Sequence, residues 1–255
     1  MTPAVRRGVF LVGLAGFVAF YLWGLTRLPG FGRYPGPYGF VINRIAVGET
    51  NATGVVSAVN FEYRGFDTVG EEFILFVAAT GVATVLRQLR DEREGGRGDA
   101  AFGEPSSGTT DAIRLASLIF VGPVGLFGWF LASHAQTTPS GGFQGGVVLA
   151  TAFVLIYLAG QFLAFRRISP FDLIDSVGAV GAAGFAAIGL TAVVLGFSYL
   201  YNFLPLGTVP GAVSSSGTIA LISFFVGIEV AAAFILIVGE LVEQTLLVRA
   251  GRGQS

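Results

Sequence analysis

The chain has 255 residues, 53% hydrophobic and only 12% charged, with a formal net charge of −1 and a mean hydropathy of +0.73. A soluble domain carries roughly a quarter charged residues, so half that share leaves too little polar surface to face water, and lipid must cover the remainder. The charge balance gives no global attraction to nucleic acid, and a chain with no Cys and one His has no disulfides, thiolate nucleophiles or multi-His metal sites.

A membrane helix needs about 20 apolar residues. The first qualifying run is Val5–Leu25. Arginines ahead of an apolar stretch also describe a secretion signal. This run is long for one, however, and Thr26–Pro29 offers no small-x-small cleavage site, so it reads as a retained helix. The connection Arg27–Arg64 is rich in Gly, Pro and aromatics (Pro29, Gly30, Tyr34, Pro35, Gly36, Pro37) and reads as an ordered, non-helical surface loop. Within it, Asn51–Phe61 reads as a short helix with Asn51 or Thr50 as N-cap.

The second span is Glu72–Leu89. Arg90–Asp111 follows, a mixed-charge run passing into Gly and Ser that cannot bury a core and reads as a mobile linker. Four more spans complete the chain: Ile113–Ala132, Val147–Phe165, Ile174–Tyr199 and Thr218–Val248. The last is longer than a bilayer requires, so it tilts or projects into water.

All 15 basic residues are arginine. With the N-terminus in the cytoplasm, Arg6, Arg7, Arg87, Arg90, Arg93, Arg97, Arg114, Arg166, Arg167, Arg249 and Arg252 fall inside. Only Arg27, Arg33, Arg44 and Arg64 fall outside. The positive-inside rule therefore predicts an all-α integral membrane protein of about six transmembrane helices with both termini cytoplasmic.

Three segments carry chemical information. In Phe61–Leu75, Arg64, Asp67, Glu71 and Glu72 sit where a loop turns into a helix, and a start near Asp67 puts Asp67 and Glu71 on one face at i and i+4. Two readings stand: acids complementing the helix dipole, or an acid pair at the mouth of an ion path. In Ser133–Val147, the lone His134 ends one span, and Gly141, Gly142, Gly145 and Gly146 permit positive φ and close helix contact. There is no Lys after the glycines, so this is no phosphate loop. His134 is either structural or a proton-exchanging group.

In the last span, Glu229 lies about eleven residues in at 1.5 Å each, near mid-membrane. Glu240 and Glu243 follow within about 60° of it around the helix. Intramembrane acids often mark ion paths. The alternative for Glu229 is a buried acid, neutral or paired with another subunit, and for Glu240 and Glu243 a solvated interface. The strip Gly178, Gly181, Gly184 and Gly189 reads as helix packing.

Together, RGFDTVGE and PSGGFQGG resemble a known family. Phe61–Leu75 with Val55–Asn60 is similar to the C-terminal end of the large A-type subunit of Mrp-type multisubunit sodium/proton antiporters, a stretch that occurs as a separate small subunit in the related membrane-bound hydrogenases. His134–Val147 and the following span resemble the signature of the MnhB-like Mrp subunit, through His134, Pro139, Gly141, Gly142, Phe143, Gly145 and Gly146. That likeness extends over roughly residues 113–247. Ser133 and Ser140 replace glycines of the family pattern, Gln136–Thr138 lengthens the gap before Pro139, and Glu62–Tyr63 replaces Asp-Phe before Arg64 and Gly65.

The resemblance implies a fusion: a two-helix module at 1–95, a cytoplasmic linker at 96–111 and a four-helix MnhB-like module at 112–255. It implies an accessory subunit of a cation (Na+)/proton antiporter in the cell inner membrane. Large antiporter-like subunits and small subunits would be its partners, with Asp67, Glu71, Glu72, His134, Glu229 and Glu240 as ion-pathway candidates. The alternatives are the equivalent subunit of a redox-driven, hydrogenase-type complex and a purely structural scaffold. No enzyme activity and no cofactor is expected, because no nucleophile–base or metal constellation appears.

Overall fold

The computed structural model describes residues 3–28, 30, 36–94 and 109–252. Its helices, in chain order, are α1 (Pro3–Thr26), α2 (Tyr38–Thr50), α3 (Val55–Ala58), α4 (Gly65–Glu94), α5 (Asp111–Ser133), α6 (Gly142–Ile168), α7 (Phe171–Val194) and α8 (Thr218–Arg252). A π-helical turn, Val59–Tyr63, links α3 to α4. Among the described residues, extended pairing is limited to one bridge between Leu206 and Ser216. Among the described residues, six helices are long and apolar enough to cross a membrane: α1 and α4 to α8.

The six expected spans are all present, with shifted ends. α4 starts at Gly65 and not at Glu72, while α7 stops at Val194, short of Tyr199. The stretch read as a non-helical loop contains the 13-residue α2. Asn51 caps no following helix. It stands at φ 52°, ending α2 in the left-handed geometry of a C-terminal cap, and its amide donates to Gly207 O at 2.6 Å. The expected linker at 96–111 lies outside the described residues up to residue 108. Thr110 then caps α5, its hydroxyl accepting from Ile113 N.

The chain forms two compact units, Met1–Val41 and Ile42–Ser255. In the first, α1 closes with the Thr26 hydroxyl on Trp23 O at 2.7 Å and the Arg27 guanidinium over the Trp23 ring. In the second, α8 is the central element: α4, α6 and α7 pack along it, and α5 packs along α6. With 35 residues at 1.5 Å each, α8 runs about 52 Å, longer than the ~30 Å hydrocarbon layer. α6 is kinked at Gln161 (φ 64°, ψ −173°).

Two apolar clusters fill this unit. One gathers Phe61, Phe185, Leu200, Ile219, Ile222, Val226 and Val230 at the end that also holds His134. The other gathers Phe162, Phe165, Phe171, Ala232, Ile235 and Leu236 toward Arg167. Glu229 falls between them on α8.

Helix contact without bulky side chains lets these elements close. A methyl on Gly146 would fall 2.7 Å from both Gly227 O and Val230 Cβ, and one on Gly142 would fall 2.5 Å from Ser223 O. Of the glycines of PSGGFQGG, Gly142 and Gly146 are therefore contact points of α6 with α8, and Gly145, beside Ala132, is one with α5. Positive φ plays no part, since Gly141 is extended at φ −170° and none of the four is left-handed.

Candidate functional site

On α4 the buried face is Thr68, Glu72, Ala79 and Ala83, a helical spacing of small residues interrupted by one acid. That face meets α8 and carries Glu72 to Glu229. Each glutamate is only 1% exposed. Their carboxyl groups are close neighbours. No N–H or O–H of another described residue reaches any of the four oxygens. Two carboxyls buried side by side cannot both ionise without strong repulsion, so this pair is a place where a proton or another cation alters the local energy most.

α7 closes on the same point. A methyl on Gly181 would fall 2.7 Å from Glu229 Cβ and 2.8 Å from its backbone N, and one on Gly178 would fall 3.3 Å from Ala232 Cβ. The glycine strip is thus packing, as its spacing indicates, and what it packs against is the acid.

Beside the pair, α4, α7 and α8 border a partly open cavity of about 260 Å³ whose polar lining is Glu229, Asp175, Thr80 and Thr84, with Phe76 and Leu236 among its apolar walls. Sequence reasoning passed over Asp175. The available signal was its step of three from Gly178 and Gly181, which places all three on the α7 face that meets α8.

The other candidates are not gathered here. Asp67 and Glu71 are exposed, and Asp67 accepts from Arg64 Nε at 2.6 Å in the first turn of α4, where an acid complements the helix dipole. His134 caps α5. Its ring stacks on Phe130 with centroids 4.2 Å apart, and Nδ1 lies 2.9 Å from Ser133 Oγ and 3.0 Å from Phe130 O. Its carbonyl accepts from Thr137 N and Thr138 N. These bonds are local to the corner.

Pro139 is exposed in that corner, and Phe143 packs against the His134-end cluster. Gly65 begins α4 against Leu200. Glu240 and Glu243 are not solvated; they are 1% and 6% exposed. One turn along α6 from Phe162, Arg166 lays its guanidinium 3.6 Å from the Phe171 ring centre.

Where the chain departs from the antiporter pattern, the inserted residues bond across the fold. Gln136 Nε2 donates to Val213 O at 2.6 Å, and Gln136 O accepts from Gly54 N at 3.0 Å. The Thr53 hydroxyl donates to Thr137 O at 2.9 Å, and Ser57 Oγ donates to Ala135 O at 2.7 Å.

A second polar cluster lies outside the spans. Asn202 Nδ2 donates to Glu62 Oε2 at 2.8 Å and to Ser216 O at 3.1 Å. Its Oδ1 accepts from Thr218 N at 2.7 Å and from Thr218 Oγ1 at 3.0 Å, capping α8. Asn202→Ala removes all four bonds and is expected to cost about 1–3 kcal/mol, read as a lower melting temperature in detergent, whereas Asn202→Asp retains the cap on α8.

Burial pushes the Glu62 carboxyl above its usual range, the Asn202 hydrogen bond opposes this, and the charge of Glu49 adds to the rise. The folded state therefore holds this proton more tightly than the unfolded chain. The penalty for ionising Glu62 is absent below the unfolded value, develops as pH rises toward the folded one, and is complete above it. Glu62→Gln is expected to raise the melting temperature at neutral pH and to flatten its dependence between mildly acidic and neutral pH. An unchanged pH profile would contradict this.

The fold and its spans define a multi-pass α-helical membrane protein. Residues 112–236 match the family described as a domain related to the MnhB subunit of Na+/H+ antiporter. It is 27% identical over 127 residues to a probable K+/H+ antiporter A/B subunit of Rhizobium meliloti, a match spanning 44% of this chain and 13% of that one. It is also 27% identical over 238 residues to an uncharacterised protein of Methanocaldococcus jannaschii, spanning 86% of this chain and 87% of the relative.

Among solved structures, a chain of the membrane-bound sulfane sulfur reductase, an archaeal respiratory membrane complex, superposes with a TM-score of 0.67 at 27% identity, covering 93% of this chain and 98% of that one. A chain of the Mrp complex from Dietzia superposes with a TM-score of 0.66 at 19% identity, covering 94% of this chain and 26% of that one; this shares the fold. The resemblance to Mrp-type antiporter subunits is borne out.

Proposed function

We propose that the chain is an accessory membrane subunit of a multisubunit cation/proton antiporter complex of the cell inner membrane, and that it contributes ion passage as well as assembly. The observation that carries this reading is the buried Glu72–Glu229 pair, two neighbouring carboxyls without protein donors, beside a mainly apolar cavity that Glu229 lines. A scaffold would gain nothing from such a pair, because burying unpaired acids costs several kcal/mol. Glu72 directly follows the RGFDTVGE segment, within Phe61–Leu75, and Glu229 lies in the MnhB-related stretch, so the pair joins the two likenesses in one chain.

Glu72 and Glu229 are the ion-carrying carboxylates in this reading, and Asp67, Glu71, Glu240 and His134 are secondary candidates near the two ends of the route. Both termini face the cytoplasm, the Arg167 end of the bundle lies inside, and the partners are larger antiporter-like subunits and small membrane subunits. The chain catalyses no reaction of its own. The likeness to the sulfane sulfur reductase chain favours a second reading, in which the same subunit serves a redox-driven complex.

Affinity purification of the tagged chain in mild detergent, with mass spectrometry of its companions, tests membership. Co-purification of large antiporter-like subunits is the expected result, and metal-binding redox subunits in the same preparation would select the second reading. A chain that purifies alone and monodisperse would overturn both.

A further inference from the structure

We infer that the partly open cavity between α4, α7 and α8 seats one transmembrane helix of a partner subunit, which brings a lysine or arginine to Glu229; this rests on the multisubunit reading proposed above. α4 and α7 both pack along α8 and touch each other far less, so they flank a groove with α8 as its floor. The lining is short where a helix would lie: Ala83 on α4, Gly178 and Ala179 on α7, Ala233 on α8. Small residues on neighbouring helices are what lets a further membrane helix approach closely. From Phe76 to Thr84 the groove runs about 12 Å at 1.5 Å per residue, a little over two turns of a docked helix. The Thr84 hydroxyl donates to Thr80 O at 2.8 Å, so this rim accepts an apolar neighbour without losing a bond.

Glu229 decides what kind of helix fits. It lines the groove, is 1% exposed, and neither of its oxygens meets a donor among the described residues. A lipid tail offers it nothing, and an acid left bare at membrane depth is costly. Its close neighbour Glu72 adds a second acid, and no basic residue lines the groove. This chain does not supply one. In the described spans the arginines stand near helix ends, as at Arg87, Arg114 and Arg166. α1 carries its two, Arg6 and Arg7, at its start and is apolar beyond them. A second copy therefore brings no partner for Glu229, and a different subunit does. The void of about 260 Å³ falls below the ~300–1,000 Å³ of small-molecule sites, so it suits a long side chain better than a separate ligand. In Glu229→Gln an acceptor oxygen remains with Glu72 beside it, so the helix stays seated while the acid is lost.

Two measurements on the assembled complex test this. Ala179 is exposed at the mouth of the groove. A photoreactive p-benzoylphenylalanine in its place is expected to crosslink to one apolar segment of a partner subunit, with a Lys or Arg near that segment's middle. Ala179→Trp fills the mouth without entering the chain's own core. It is expected to lower recovery of that one subunit at least about tenfold, as bulk at a small-residue contact does, while the chain's own gel-filtration profile persists. Adducts to lipid alone, to Pro3–Thr26 of the same chain, or to a segment without a basic residue would overturn the seat. So would an Ala179→Trp complex that retains every companion. A tagged chain that recovers no companions at all fails the multisubunit reading itself, whereas companions recovered with lipid adducts alone remove only the seat.

Discussion

Glu229→Gln is expected to reduce cation flux through the assembled complex at least about tenfold while leaving assembly intact, a pattern reserved for acids on an ion route. The substitution keeps the side chain's size, so the close contact with Gly181 is undisturbed. It also places an amide donor beside Glu72, whose oxygens have no protein donor. Packing is therefore conserved and polar satisfaction improves, and the folded chain should be no less stable. What disappears is the group that takes up and releases a proton or counters a passing cation. Flux in proteoliposomes, read beside the size-exclusion profile of the same preparation, separates the two effects. A purely structural role for the pair predicts the reverse: full flux, with any change confined to assembly.

The second large effect is on folding. Gly146→Leu is expected to abolish accumulation of the folded chain, and Gly146→Ala to lower its melting temperature. Even the Cβ would fall 2.7 Å from both Gly227 O and Val230 Cβ. One of these is backbone, and the other is a β-branched side chain in a packed core, so neither can swing aside. Overpacking by one or two methylenes costs about 1–3 kcal/mol in cores that relax, and here relaxation means separating α6 from the central helix α8. Fluorescence-detected gel filtration of the two variants checks the order. A monodisperse Gly146→Leu peak at wild-type yield would show that α6 and α8 do not approach as described.

Much of this was legible in the residues. Apolar length alone located six spans, and the depth of Glu229 singled it out among the acids. The small-residue strip on α7 pointed to close packing, and α7 does pack on α8 through Gly178 and Gly181. The acidic motif was harder. Spacing drew attention to Asp67 and Glu71 as a pair on one face, but the face that α8 covers is the one bearing Thr68, Glu72, Ala79 and Ala83. Which face of a nearly uniform apolar helix turns inward is decided by its partner, and a period of small residues was the sole local trace. α2 was missed because Arg44, Gly48 and Glu49 interrupt its apolar pattern and a Gly/Pro-rich stretch precedes it. Its burial of Ile42, Ala46 and Thr50 comes from tertiary contact. Asp175 escaped because one acid near the end of a span looks like an interface residue until the cavity beside it is seen.

The measurement that bears most directly on the carboxyl pair is a double-mutant cycle of flux in the reconstituted complex, comparing Glu72→Gln, Glu229→Gln and the two together. Residues acting as one unit are strongly non-additive. The predicted result is a deep loss in each single variant and no further loss in the double. Full flux in either single variant, or losses that multiply as for independent sites, would contradict a shared station at Glu72 and Glu229.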